Sequence, residues 1–270
     1  MRNALRACAA AVLASVPFLA QAQAAPAAAA KPEPEFTFTG NAGLFSDYRF
    51  RGYSQTDYKP AFQGGFDFAH KSGFYAGNWN SNVEQSLYTG ANLEMDFYAG
   101  FKGSLGDFGY DIGYLYYFYP GSGVADSTKI KNGEVYLGGS YGPVSAKVFY
   151  ATTNFFSLGE GTSYKTSGSY YLDLTGNFPI AEGWVVNAHV GYQDIKNGKK
   201  VGLIEDSAFD YKLGVTYDWS GWALGAAFVG TSEEKLFTTG NSALEVAAGK
   251  RASPEAAGKN SFVLSISKSF

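Results

Sequence analysis

From Phe36 to the C-terminus, apolar residues recur at every second position in segments of about ten residues. Leu93, Met95, Phe97, Ala99 and Phe101 form one such row, interleaved with Asn92, Glu94, Asp96 and Tyr98. Phe209, Tyr211, Leu213, Val215, Tyr217 and Trp219 form another, opposite Asp210, Lys212, Gly214, Thr216 and Asp218. Trp184, Val186, Ala188, Val190 and Tyr192 alternate with Val185, Asn187, His189, Gly191 and Gln193. A period of two is that of a β-strand, whose successive side chains leave on opposite faces. One face can then meet acyl chains while the other meets a wet or packed interior. A secreted β-sandwich is the competing reading, and it differs by being extractable without detergent.

The pattern predicts about twelve strands, the fold class being an all-β transmembrane antiparallel up-and-down β-barrel. They fall at 36–45, 61–70, 74–83, 91–102, 108–119, 133–141, 144–154, 169–178, 184–193, 209–219, 222–231 and 261–270. The connections alternate in length. Lys71 to Gly73, Gly103 to Asp107, Gly142-Pro143, Pro179 to Gly183 and Ser220-Gly221 are tight turns, while Ser46 to Pro60, Pro120 to Asn132, Phe155 to Gly168, Asp194 to Ala208 and Ser232 to Asn260 are long polar loops. Short periplasmic turns and long external loops are the asymmetry of outer-membrane barrels, and an even strand count puts both ends on the periplasmic side. Trp184, Trp219 and Trp222 lie near tight turns, as a membrane-interface girdle requires. The longest loop contains a helix-compatible piece, Ala243 to Lys250, and is expected to cap the outer surface.

The N-terminus changes the picture in one respect. Arg2 and Arg6 precede an apolar run from Ala7 to Ala20, and Ala22-Gln23-Ala24 offers a small-residue cleavage site. Residues 1–24 read as a signal peptide, 25–35 as a flexible Ala/Pro-rich periplasmic lead-in, and 36–270 as the barrel. Cys8, the only cysteine, leaves with the peptide, so thiol and disulfide chemistry are excluded from the mature chain. Removing Arg2 and Arg6 from 21 basic residues leaves 19 against 24 acidic ones, a net charge of −5. That balance gives no sign of nucleic-acid binding. Gly (34), Tyr (20) and Phe (22) are abundant, which suits strands and turns better than helices.

The end of the chain is the most specific feature. Phe262, Leu264, Ile266 and Phe270 share one face of a last strand that finishes on Phe270, which resembles the signal read by the barrel assembly machinery. Near the start, Ser46-Asp47-Tyr48-Arg49-Phe50-Arg51-Gly52-Tyr53-Ser54-Gln55-Thr56 runs on to Pro60-Ala61-Phe62-Gln63-Gly64-Gly65-Phe66-Asp67, followed by Gly73-Phe74-Tyr75-Ala76-Gly77 and Trp79. This stretch resembles the TorF-type porin family, most strongly over residues 36–100. The resemblance implies an outer-membrane barrel with porin activity, embedded in lipid and lipopolysaccharide. It implies no particular substrate and no binding residues.

A barrel of about twelve strands lies between those filled by side chains and those with a wide channel. The inward rows carry Asp67, Glu94, Asp96, Asp111, Glu134, Asp173, Asp210 and Asp218, against Lys147 and Lys212, with Arg49 and Arg51 near the outer mouth. If these line a pore, the acidic excess implies weak cation preference and passage of small polar solutes or ions. The constriction candidates are therefore Arg49, Arg51, Asp67, Glu94, Asp96, Asp111, Lys147, Asp173, His189 and Lys212. The arginines would face carboxylates such as Asp67 and Glu94 across the lumen, or else form a salt bridge that fixes the first loop. Bulky inward Tyr98, Tyr117, Tyr136, Phe149 and Tyr171 would suit a plugged barrel with partner-binding loops instead.

Enzyme chemistry has little to work with. Only His70 and His189 could act as base; His70 falls on the lipid-facing row, and His189 faces inward. Pairing Phe178 with Trp184 would set Asp173 opposite His189, but no serine completes a triad. No phosphate loop, zinc spacing or calcium-loop motif occurs, so no cofactor is expected.

Overall fold

Twelve antiparallel strands close on themselves into a single barrel in the computed structural model, which describes residues 34–88, 90–123, 129–239 and 255–270. In chain order they are β1 (Phe36–Phe45), β2 (Ala61–His70), β3 (Phe74–Asn82), β4 (Leu93–Leu105), β5 (Phe108–Phe118) and β6 (Lys131–Tyr141). They continue as β7 (Val144–Ala151), β8 (Tyr170–Ala181), β9 (Trp184–Asp194), β10 (Ser207–Trp219), β11 (Trp222–Thr231) and β12 (Ser261–Ser269). Each strand pairs with its sequence neighbours, and β12 returns to β1. Residues 1–33, which hold the expected signal peptide, and the 243–250 piece of the last loop lie outside the described residues. No helix among the described residues is long and apolar enough to cross a membrane.

The closing seam explains the chain's last residue. β1 and β12 pair from Asn41↔Ser269 to Phe45↔Ser265. Beyond that ladder, Gly40 N–H donates to the Phe270 carbonyl at 2.8 Å and Phe270 N–H donates back to the Gly40 carbonyl at 2.9 Å. A Cβ on Gly40 would stand 2.7 Å from the Phe270 ring, so the ring lies over the space glycine leaves. Closure matters because an open sheet edge in hydrocarbon leaves backbone groups that nothing can satisfy.

The alternating rows fall where the sequence puts them. Phe62, Leu213 and Phe262 are 62%, 62% and 75% exposed, pointing out of the barrel, while Gln63, Lys212 and Val263 point in. Trp184, Trp219 and Trp222 are exposed at the short-turn end, where Phe36 and Phe270 also lie. Most strand ends agree with the alternation. Two turns are shorter than expected: β4 runs to Leu105, leaving Gly106-Asp107, and β8 runs to Ala181 through a register shift between Pro179 and Ala181. A proline cannot donate to a ladder, and a bulge is where a strand accommodates one.

Inside, several tyrosines lie along the wall instead of across it. Tyr98 is paired with Gly77, Tyr75 with Gly100 and Tyr136 with Gly113. A Cβ on Gly77 would meet the Tyr98 ring at 2.5 Å, and one on Gly100 would meet the Tyr75 hydroxyl at 2.6 Å. Each glycine vacates room into which its cross-strand tyrosine folds, so a large side chain occupies little of the lumen.

The two faces predict opposite outcomes for neighbouring substitutions. Leu213→Arg puts a charge in hydrocarbon near mid-strand and should destabilise the barrel by about 2–4 kcal/mol. Lys212→Leu, one residue away and inward, should leave folding intact. Urea titration of protein folded into lipid vesicles checks both, and equal losses would mean that the assigned faces are wrong.

Candidate functional site in the barrel interior

The first long loop does not stand outside the barrel. Residues 46–60 turn inward, and Asp47, Tyr48, Tyr53, Ser54, Gln55, Thr56 and Asp57 are all buried. The loop is a small hairpin in which Arg49–Phe50 pairs with Tyr53–Ser54. Asp47 organises it: its carboxylate accepts from Ser54 Oγ at 2.6 Å, Thr56 Oγ1 at 3.1 Å and Arg49 Nε at 2.5 Å. Arg51 (φ 47°) and Gly52 (φ 83°) form the tip, the pair of left-handed residues that a tight hairpin turn demands. Gly52 is also needed for space, because a Cβ would come 2.8 Å from the Asp210 side chain and 2.9 Å from the Gly230 carbonyl.

At that tip Arg51 reaches the far wall. Its Nη2 pairs with Glu134 of β6 at 2.7 Å and its Nη1 donates to Gln193 of β9 at 2.5 Å. The guanidinium also lies 4.3 Å from the Tyr171 ring centre and 4.8 Å from that of Phe50. Burial disfavours its charge, but the adjacent Glu134 carboxylate outweighs this and the Arg51 pKa is raised. A left-handed arginine carries a cost of about 1–2 kcal/mol, and these contacts offset it. Arg49 instead folds back, donating to the carbonyls of Gly52 and Lys259, both at 2.9 Å. Tyr48 donates to Glu94 at 3.1 Å and sets its ring against Trp79. Over the hairpin, Tyr88 bonds to Gln55 and stacks on Tyr119 at 4.0 Å, and Phe156 packs against Phe50 and Tyr117. The hairpin thus bridges the lumen in its outer half.

Between the hairpin and the short-turn end lie two polar networks. On β2 to β7, Tyr98 donates to Asp67 at 2.6 Å, while Asp111 accepts from Tyr75 at 2.5 Å and pairs with Lys147 at 2.7 Å. Tyr75 in turn bonds to Tyr136. On β8 to β10, His189 Nε2 lies 2.8 Å from Asp210 and 3.0 Å from the Tyr171 hydroxyl. Its Nδ1 lies 3.4 Å from Asp173 and 3.0 Å from Thr175, which itself donates to Asp173 at 2.9 Å. Lys212 sits beside His189 in the β9–β10 ladder. The remaining wall is smooth by comparison: Gly225, Ala227 and Val229 of β11 and Val263, Ser265 and Ser267 of β12 carry no charge.

All ten constriction candidates are therefore inside the barrel, but two pairings differ from expectation. Arg51 faces Glu134 and Gln193, and Arg49 faces Asp47, so neither opposes Asp67 or Glu94. The arginines fix the first loop. The β8–β9 register pairs Phe178 with Val186, which sets Thr175, and not Asp173, opposite His189. The longer β8 is the cause, and Asp173 still reaches the ring from two pairs away, the next inward position of β8. Asp47 and Gln193 were missing from the candidates, and Glu134 figured only as one inward acid. The available signal was Phe50-Arg51-Gly52-Tyr53, a glycine-bearing turn between aromatic residues.

Residues 29–270 match a family model described as "Bacterial protein of unknown function (Gcw_chp)". A comparison with curated proteins finds no match. Among solved structures, the KdgM porin superposes with a TM-score of 0.50 at 10% identity, covering 87% of this chain and 99% of that one. The KdgM porin in complex with disordered oligogalacturonate gives 0.51 at 8% identity, over 87% and 99%. The NanC porin gives 0.51 at 8% identity, over 86% and 99%. At such identities the likeness is one of fold, that of an outer-membrane porin barrel.

Breaking the buried Arg51–Glu134 pair should undock the hairpin. Arg51→Ala leaves Glu134 buried and unpaired, a loss of about 3–5 kcal/mol. Limited proteolysis of folded protein should then cut within residues 46–60, a segment the wild type protects. Equal protection in both would show that Arg51 does not hold the loop.

Proposed function

The chain belongs to the Gcw_chp family, and we propose that it is an outer-membrane porin through which small polar solutes and ions diffuse passively, with weak cation preference. The observation that carries this reading is the interior itself. Ionisable and hydroxyl side chains line the wall from Glu94 and Glu134 in the outer half to Asp67, Asp111 and Asp173 below them. A barrel built only as a stable plug has no need of so many charges, each costly to remove from water. Tyr98, Tyr136 and Tyr171, three of the tyrosines that could fill it, are folded against glycines. The resemblance of residues 36–100 to the TorF-type porin family supports the same reading.

Charge argues the preference. Asp47, Asp67, Glu94, Asp96, Asp111, Glu134, Asp173, Asp210 and Asp218 face inward, against Arg49, Arg51, Lys102, Lys147 and Lys212. A ring of excess carboxylates favours cations. The KdgM porin has a structure in complex with oligogalacturonate, a polyanion. The present interior is a poor match for such a solute.

A second reading has one specific observation in its favour. The Arg51 hairpin crosses the outer half of the lumen, which suits a closed barrel whose external loops bind a partner. Single-channel recording in planar bilayers separates the two. The porin reading expects discrete steps with reversal potentials favouring K⁺ over Cl⁻, larger steps in Arg51→Ala, and weaker cation preference in Asp67→Asn/Asp173→Asn. Silence at every voltage, in the wild type and in Arg51→Ala alike, would favour the closed barrel.

A further inference from the structure

The outward face of β4 to β7 is not evenly covered. At mid-height Ala99 stands among larger neighbours and leaves a groove of about 590 Å³, walled by Phe101, Ile112, Val135, Leu137 and Val148. Four of these walls form one cross-strand row, from Phe101↔Ile112 through Ile112↔Leu137 to Leu137↔Val148. A concavity of this size falls in the range of about 300–1,000 Å³ that small-molecule sites occupy. Acyl chains wet the whole of an outer-membrane barrel, so it is the upper edge that gives this groove a direction.

Hydroxyls and two cations collect at that edge, on the long-loop side. Tyr114 and Tyr150 belong to the lining of the groove. The Tyr114 hydroxyl lies over Gly133 and 3.3 Å from Thr152 Oγ1. The Tyr150 hydroxyl and Lys196 Nζ stand 3.2 Å and 3.6 Å from the point where a Cβ on Gly168 would be. One glycine thus brings an ammonium to the tyrosine that edges the groove. Lys131, exposed at the outer end of β6, shares the outward row of Val135 and Leu137. It rises about 14 Å along the strand from Val135, and its backbone N–H donates to Ser157 Oγ at 3.2 Å. Among the described residues neither Lys131 nor Lys196 has an ion-pair partner, whereas Lys59, Lys147 and Lys199 each do.

An apolar groove beneath a cationic, hydroxyl-bearing edge fits an anionic amphiphile, with methylenes below and phosphate above. Lysine holds phosphate as a point charge, and hydroxyls donate to its oxygens. The long-loop end is the external end of an outer-membrane barrel, so the lipid met there belongs to the outer leaflet. Cations spaced around the wall, with hydroxyls beside them, suit a headgroup of several sugars and phosphates better than the single phosphate of a phospholipid. We propose that this face binds one lipopolysaccharide molecule, with an acyl chain in the Ala99 groove and phosphates on Lys131 and Lys196. The site stands whether or not the lumen conducts, and its test reads lipid binding instead of current.

Protein refolded into lipopolysaccharide-free detergent is titrated with lipopolysaccharide, with phosphatidylglycerol and with lipopolysaccharide stripped of its phosphates. Retained lipid is counted by native mass spectrometry. One lipopolysaccharide per barrel is expected, held about ten-fold or more tighter than either of the other two. Affinity should fall by about ten-fold or more in Lys131→Gln/Lys196→Gln, through the lost charges. It should also fall in Ala99→Phe, which fills the groove with an apolar ring that a lipid-facing position accepts. Lys235→Gln, exposed on another external loop, should bind as the wild type does. Phosphatidylglycerol held as tightly as lipopolysaccharide overturns the proposal, because it would mark an unselective lipid face. So does unchanged affinity in the lysine variant or in Ala99→Phe, once an unboiled gel shows the variant folded. If a variant does not fold, the wild type decides alone: equal retention with and without the phosphates overturns the proposal.

Discussion

Every backbone amide that crosses hydrocarbon must find a partner within the protein, and the architecture follows from that demand. Twelve strands meet it only because the last returns to the first. The Gly40–Phe270 exchange of hydrogen bonds extends the seam by one pair beyond the β1–β12 ladder, with the Phe270 ring laid over Gly40. Phe270 thus has a mechanical role in closing the wall.

Once the wall is closed, the outside and inside obey different chemistry. Outside, large apolar side chains are exposed because lipid is their solvent, and a girdle of tryptophans marks the short-turn end. Inside, charges are retained because the interior can solvate or pair them. Lys147 answers Asp111, His189 joins Asp173 to Asp210, and Arg51 answers Glu134. The pairs on the wall lie between nearby strands and narrow the lumen little. The Arg51 pair is different, since it ties a loop from the β1–β2 corner to the opposite side.

That hairpin is the feature most consequential for passage and the least visible beforehand. Its alternation of aromatic and charged residues was legible, as was the inward placement of both arginines. Its partners were not. Arg51 lies 83 residues from Glu134 and 142 from Gln193, and no local period can report an encounter over such distances. Polar composition marked residues 46–60 as a loop, but a polar loop is equally at home in bulk water and in a polar lumen. The same limit applied to His189, whose inward face was clear while its exact row shifted with the length of β8.

The amino-acid sequence by itself determined the strand number, the two faces of each strand, the order of short and long connections, and the acidic bias of the interior. These are consequences of local alternation, which holds on most outward rows; β3 departs from it, with Asn78 and Asn80 set outward beside Phe97 and Met95. Tertiary structure alone decided where the first loop goes and which charges meet. The reason is physical: alternation assigns a side chain to a face, whereas pairing depends on distances across the lumen that exist only after the barrel has closed.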